Sequence, residues 1–310
     1  MQILLIVMLL VVTLWAPLPV LATGERSGMR KIRYHGKKRK FLVHVPEDKP
    51  DRPLPVVILL HGALTSPRLV QWISRMSRKA DSEKFYAVYP AGTGGLLSTW
   101  NAGECCGPAQ KKEVDDIGFL SAVIDKMTTD YQVDSSRIYI AGVSNGGMMA
   151  YRAGCELSEK VAAIASVEGF MASCHCRPKV PVSVLAINGT EDRVIPIEGG
   201  TGRFWGFFPV KVKPASSALE FWLDRNQCLD EPAVEEHGHI TKRTFVSPGN
   251  NTEVRFYTIE GGGHAWPGGL GSFPLSPQRR REFSATDEIW DFFKDHSRVS
   301  PAATAKAPPR

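Results

Sequence analysis

Residues 137–147 read RIYIAGVSNGG. The first seven are a short run of Ile, Tyr, Ala and Val, the composition of a strand buried on both faces. Gly142-Val143-Ser144-Asn145-Gly146 follows from it as a G-x-S-x-G sequence, and a helical pattern then runs from Asn145 to about Cys155. A serine between a buried strand and a helix, flanked by glycines that permit a tight turn, has the layout of a nucleophile elbow. Such a turn holds the hydroxyl exposed on a strained backbone. It also aims the free N–H groups of the helix start at the oxygen of a carbonyl under attack. Ser144 is therefore the candidate nucleophile, and the backbone N–H of Asn145 the first candidate oxyanion donor.

Working outward, LPVVILL (54–60), FYAVYP (85–90), VAAIASV (161–167), VSVLAI (183–187 with its flank) and EVRFYTI (253–259) repeat the buried-strand character. Helical patterns lie between and after them, at 115–127, 215–226 and 284–296. Strand and helix alternating at this spacing predict an α/β fold, with a mostly parallel central sheet and helices on both faces. IRYHG and RKFLVHV, turning through Gly36-Lys37, read as a hairpin ahead of it.

A serine hydroxyl needs a base, and the base an orienting carboxylate. VSVLAI runs into Asn188-Gly189-Thr190-Glu191-Asp192, which offers two carboxylates at the carboxyl end of a strand. EVRFYTI runs into a glycine-rich loop bearing His264, placed to reach the same sheet edge. His35 and His44 fall on the hairpin, His296 near the end of the chain, and His237 and His239 in a polar connection expected to be exposed loop. LPVVILL ends in His61-Gly62-Ala63-Leu64, and an N–H after this strand commonly supplies the second oxyanion donor. Ala63 is nominated, with Leu64 as fallback. His61 reads as a stabiliser of the loop.

The 310 residues carry 38 Lys+Arg against 32 Asp+Glu, 43% apolar residues and six cysteines. That apolar content excludes global disorder, and the glycines show no collagen period. Residues 25–54 hold ten Lys/Arg against four Asp/Glu and account for the whole formal charge of +6. Charge so confined argues against a nucleic-acid binder. The hairpin that carries it reads as a solvated face, with an anionic surface or acidic polysaccharide as the other reading. Residues 1–22 are uncharged and apolar until Pro17 and Pro19 and end in V-L-A, which predicts a cleaved signal peptide. A retained membrane anchor is the alternative. An even number of cysteines suits an oxidising compartment, so a secreted or periplasmic protein is expected. Adjacent Cys105 and Cys106 are expected to pair with separate partners, and Cys228 with Cys174 or Cys176. Residues 298–310, rich in Pro and Ala, read as a disordered tail. A single catalytic domain is expected over 23–297.

LLHG (59–62), TWNAGECCGPA (99–109), VDDIGF (114–119), GVSNGGMM (142–149), NGTEDRVIP (188–196), FWLDRNQC (221–228) and GGGHAWPGG (261–269) occur in that order. With these the chain resembles the secreted esterases that include polyhydroxybutyrate depolymerases, feruloyl esterases and acetyl xylan esterases, all α/β-hydrolases. The resemblance implies carboxylic-ester hydrolysis by a Ser144, Asp192, His264 triad without metal or cofactor. It also selects Asp192 over Glu191, because the family acid stands two residues after the Gly-Thr pair. The chain departs from the family in Asn188, Ala63 and the aromatic segment 203–210. Trp100 and Trp266 are expected to flank the cleft as substrate-binding indoles. Asp115 and Asp116 read as helix N-caps. An ester, small or polymeric, is the expected partner, with no nucleic acid and no stable protein partner. A serine peptidase of the same fold and a non-catalytic surface-binding relative are the alternative readings.

Overall fold

The computed structural model describes residues 25–95, 98–172, 176–204, 208–270 and 282–298. The leader (1–22) and all of the expected tail except Arg298 lie outside these residues. Described strands are β1 (Gly28–Tyr34), β2 (Lys37–His44), β3 (Leu54–Leu60), β4 (Tyr86–Pro90), β5 (Val133–Val143) and β6 (Ala163–Val167). They continue with β7 (Ser183–Gly189), β8 (Gly200–Phe204), β9 (Phe208–Val212), β10 (Ala233–His237), β11 (Ile240–Val246) and β12 (Glu253–Ile259). Ten of them form one sheet, in the order β1-β2-β4-β3-β5-β6-β7-β12-β11-β10. The six central strands, β4 to β12, run parallel. Antiparallel hairpins close both edges.

β3 shows why this sheet forms. All seven of its residues are buried. Val56, Ile58 and Leu60 pack into one apolar cluster, while Val57 and Leu59 pack into a second on the opposite face. A strand buried on both sides needs helices on both sides. Helices α1 (Pro67–Ser74) and α2 (Met76–Glu83) cover the Val57 face, together with the C-terminal helix, Ala285–Lys294. The Val56 face is covered by helices Asp116–Asp130, Asn145–Glu156 and Ala215–Asn226. In chain order, with the one-turn helix α3 (Gly107–Lys111), these three are α4, α5 and α6, and the C-terminal helix is α7.

Three expectations are corrected. Cys105 and Cys106 are bonded to each other, and Cys155 to Cys176, so Cys176 is not the partner of Cys228, which is a free thiol among the described residues. Cys174 lies outside the described residues, as does the core of the aromatic segment, residues 205–207. The polar connection around His237 and His239 is a hairpin, β10–β11. Every residue of β10 is exposed, so it lacks the buried alternation by which a strand is read.

Candidate active site

β5 ends at Val143 and α5 starts at Asn145, so Ser144 alone makes the turn, at φ 56° and ψ −123°. A β-carbon on Gly142 would collide with the carbonyl of Gly146, and one on Gly146 with the carbonyl of Leu60. The elbow therefore closes only on glycine. Ser144 N–H donates to Val167 O (2.8 Å), and Ser144 O accepts from Met148 N–H (2.9 Å), which pins the turn between β6 and α5. The amide of Asn145, at the helix start, has no intrahelical carbonyl to bond. Asn145 itself is buried and clamps the neighbouring loop: its Oδ1 accepts from Trp100 N–H (2.7 Å) and its Nδ2 donates to Trp100 O (3.1 Å).

The parallel strands deliver their carboxyl ends to one edge of the sheet. There the loops after β7 and β12 are stitched together: Thr190 N–H donates to Ile259 O (3.0 Å) and Glu191 N–H to Gly262 O (2.8 Å). Gly261 N–H donates to the Thr190 hydroxyl (2.8 Å). This brings His264 to Asp192 across 72 positions, with His264 Nδ1 donating to Asp192 Oδ2 at 2.7 Å. Asp192 Oδ1 accepts from the amides of Val194 (2.7 Å) and Ile195 (2.8 Å), so the carboxylate is fully bonded and buried. Glu191 is exposed. With Nδ1 carrying the proton, His264 Nε2 is left as the basic nitrogen. Ser144 and His264 are not hydrogen-bonded to each other in this structure, and such contacts often tighten only around substrate.

The loop after β3 lies against Ser144: a β-carbon on Gly62 would stand 3.5 Å from Ser144 Cβ. Leu64 N–H is bonded to Ser98 O (2.8 Å), so of the two nominated amides only that of Ala63 has no carbonyl partner among the described residues. His61 is fully buried, and burial lowers its pKa from 6.5 to about 4. It is neutral, with Nδ1 donating to Gly62 O (2.8 Å) and Nε2 accepting from Gly92 N–H (3.0 Å). It ties the loops after β3 and β4 together.

A family model described as Phospholipase/Carboxylesterase matches residues 43–202, just over half of the chain. The chain belongs to the phospholipase/carboxylesterase family. It is 30% identical over 234 residues to feruloyl esterase B of Piromyces equi, covering 73% of this chain but only 42% of that protein. It is 23% identical over 267 residues to feruloyl esterase C of Emericella nidulans, covering 82% and 83% of the two chains. Among solved structures it is similar in fold to the acetyl xylan esterase from Aspergillus awamori, with a TM-score of 0.59 at 14% identity over 86% and 99% of the chains. This member of the family is a serine carboxylic-ester hydrolase of α/β-hydrolase fold.

Two expected substrate-binding residues of the carboxylesterase are corrected. Trp100 and Trp266 are 0% and 2% exposed, and neither indole is available to a ligand. Trp100 Nε1 donates to His61 O (2.9 Å) and Trp266 Nε1 to the Thr286 hydroxyl (3.0 Å), so both prop loops from beneath. Asp115 caps α4 as expected, accepting from Gly118 N–H at 2.8 Å. Asp116 does more than begin the helix. It is fully buried, accepts from Asn101 N–H (2.9 Å) and pairs with Arg39 (2.7 Å), anchoring the loop after Trp100 to the hairpin. Burial raises the Asp116 pKa, against the opposing pull of Arg39 and Asn101.

Sequence reasoning missed Glu168, the first residue after β6. It is buried, and its Oε2 accepts from Gly189 N–H (3.1 Å), while Oε1 has no donor. Its carboxyl contacts that of Asp192, and burial followed by the Asp192 charge pushes its pKa well above the usual range. The protonated form of Glu168 is thus the one favoured beside Asp192. The signal was available: an acid at the carboxyl end of a buried strand is the criterion that nominated Glu191 and Asp192.

Proposed function

We propose that the protein is an exported esterase of polysaccharide-linked feruloyl or acetyl groups, working through a Ser144–His264–Asp192 triad within one domain over 23–297. Ser144 Oγ attacks the ester carbonyl as His264 Nε2 takes its proton. The amides of Asn145 and Ala63 hold the oxyanion, and Asp192 steadies the imidazolium. His264 returns the proton to the departing alcohol. A water then attacks the acyl-enzyme, giving its proton to His264, and the acid leaves as Ser144 is re-protonated. The observation that carries this reading is the Asp192–His264 pair on the sheet edge to which the elbow raises Ser144. The feruloyl esterases among the relatives favour polysaccharide esters over a hydroxybutyrate-type polyester. Export is supported by two cystines, which persist in oxidising compartments, and by the sequence of the leader.

The test is hydrolysis of 4-nitrophenyl acetate, methyl ferulate, acetylated xylan and hydroxybutyrate oligomers by wild type and Ser144→Ala. Ser144→Ala is expected to lower kcat by a factor on the order of 10⁴ or more while leaving the fold intact. Unchanged turnover in the variant sinks the mechanism, and a preference for the oligomers moves the substrate to polyester.

A further inference from the structure

The sheet topology sets the basic hairpin beside the esterase site. β2 runs antiparallel to β4, with Phe41 opposite Pro90, so Lys37–Lys40 extend past the carboxyl end of β4. That is the edge of the sheet where Ser144 stands. There they form one wall of a cavity of about 760 Å³, whose other walls are the start of α1, the loop after β4 and residues 112–115. Two of these walls are bonded to the loop after β3, which lies against Ser144. Thr65, on the cavity, donates its hydroxyl to Gly62 O (2.7 Å), and Gly92 is the residue bonded to His61.

The charge in this cavity is not neutralised from within. Arg39 is paired with the buried Asp116. Lys37, Lys38, Lys40 and Lys112 have no ion pair among the described residues, and all four are exposed. The acidic groups facing them are Glu113 and Asp115. Asp115 already accepts from Gly118 N–H and from the Tyr34 hydroxyl, and lies 3.7 Å from His35. Lys38 and Lys40 share the face of β2 that carries Leu42, the face packed toward α1. A concave surface with an excess of positive charge concentrates its potential and draws in counter-charge.

We infer that this cavity is a subsite for a carboxylate-bearing polysaccharide, which seats an anionic chain so that an ester along it reaches Ser144. The inference rests on the esterase reading above. The remaining wall groups suit sugar: the hydroxyls of Thr65 and Ser66 and the bare backbone of Gly94 and Gly95. The two rings in the wall, Tyr34 and His35, meet edge to face with centroids 4.4 Å apart, and the Tyr34 hydroxyl is tied to Asp115.

The experiment uses the full-length protein and a Lys38→Glu/Lys40→Glu variant, with Lys38→Ala/Lys40→Ala as a milder pair should the first fail to fold. Rates are measured on acetylated polygalacturonate, acetylated neutral xylan and 4-nitrophenyl acetate. Binding of unesterified polygalacturonate is read separately by affinity electrophoresis with wild type. The expected result is binding of the polymer, and a polygalacturonate-to-nitrophenyl ratio of kcat/KM that falls about tenfold in the charge-reversed pair. Raising the salt from about 0.05 to 0.5 M removes the same preference. An unchanged ratio, no binding, or stronger displacement of the polymer by an oligonucleotide than by free polygalacturonate overturns the subsite. Loss of 4-nitrophenyl acetate hydrolysis in wild type sinks the esterase reading instead, while the binding measurement still decides the subsite.

Discussion

Glu168 and His61 are buried ionisable groups with opposite consequences. For Glu168 the protonated form is favoured, because the charged form would face both burial and the Asp192 carboxylate. A carboxyl whose folded pKa is raised contributes stability that is complete below its ordinary range and is lost as pH rises through the folded value. Glu168→Gln keeps a neutral donor to Asp192 and an acceptor for Gly189 N–H. It is expected to retain most of kcat and to hold its melting temperature better than wild type as pH rises. Glu168→Ala removes both bonds and is expected to lose about tenfold in kcat and about 1–3 kcal/mol in stability. Equal behaviour of the two variants would show that the contact with Asp192 is not used. For His61 the sign is reversed. Its pKa falls from 6.5 to about 4, so the unfolded chain binds a proton the native state refuses, and stability is lost as pH falls across that window. The loss amounts to at most about 3 kcal/mol. Melting curves between pH 7 and 4 should therefore be flatter for His61→Gln than for wild type. Buried His296, also lowered, retains its share of the slope in both proteins.

At the scale of elements, the elbow depends on how closely β5, α5 and the end of β3 approach one another. Gly146→Ala would press a methyl into the carbonyl of Leu60. We expect a loss of about 3 kcal/mol or more in urea unfolding, together with loss of esterase activity. A wild-type unfolding midpoint would mean the turn has room. Strands and helices that bury a continuous or periodic apolar face were legible in advance: β3, β5, β7, α5, α6. The helices α1 and α2 and the hairpin β10–β11 were not. MSRKADSE of α2 buries only Met76 and Ala80, and β10 buries nothing, so pattern alone carries no signal for them. Their order comes from the sheet and helices they pack on.

For the whole molecule, the Cys155–Cys176 bond ties the end of α5 to the segment after β6, closing a loop with a separation of 21 residues. Replacing both with serine is expected to lower stability by about 3 kcal/mol, read as a shifted denaturant midpoint. Reduction of wild type should reproduce most of that shift. The succession of buried strands along the chain, the candidate nucleophile and the loops that bear the candidate acid and base could be read from the sequence alone. Apolar periodicity, glycine position and the residue following a strand are local properties, and the chain states them directly. From the residues alone Glu191 and Asp192 stood level, and the two indoles read as cleft walls. The basic hairpin read as a solvated face. Only the tertiary structure decided that Asp192 is buried against His264, that Trp100 and Trp266 are interior props and that Glu168 abuts the acid. It also decided that the hairpin lysines run past the carboxyl end of β4 and line a cavity with the start of α1. Each of these is a relation between segments far apart in the chain, and the sheet order that sets their separation is a product of packing the whole fold.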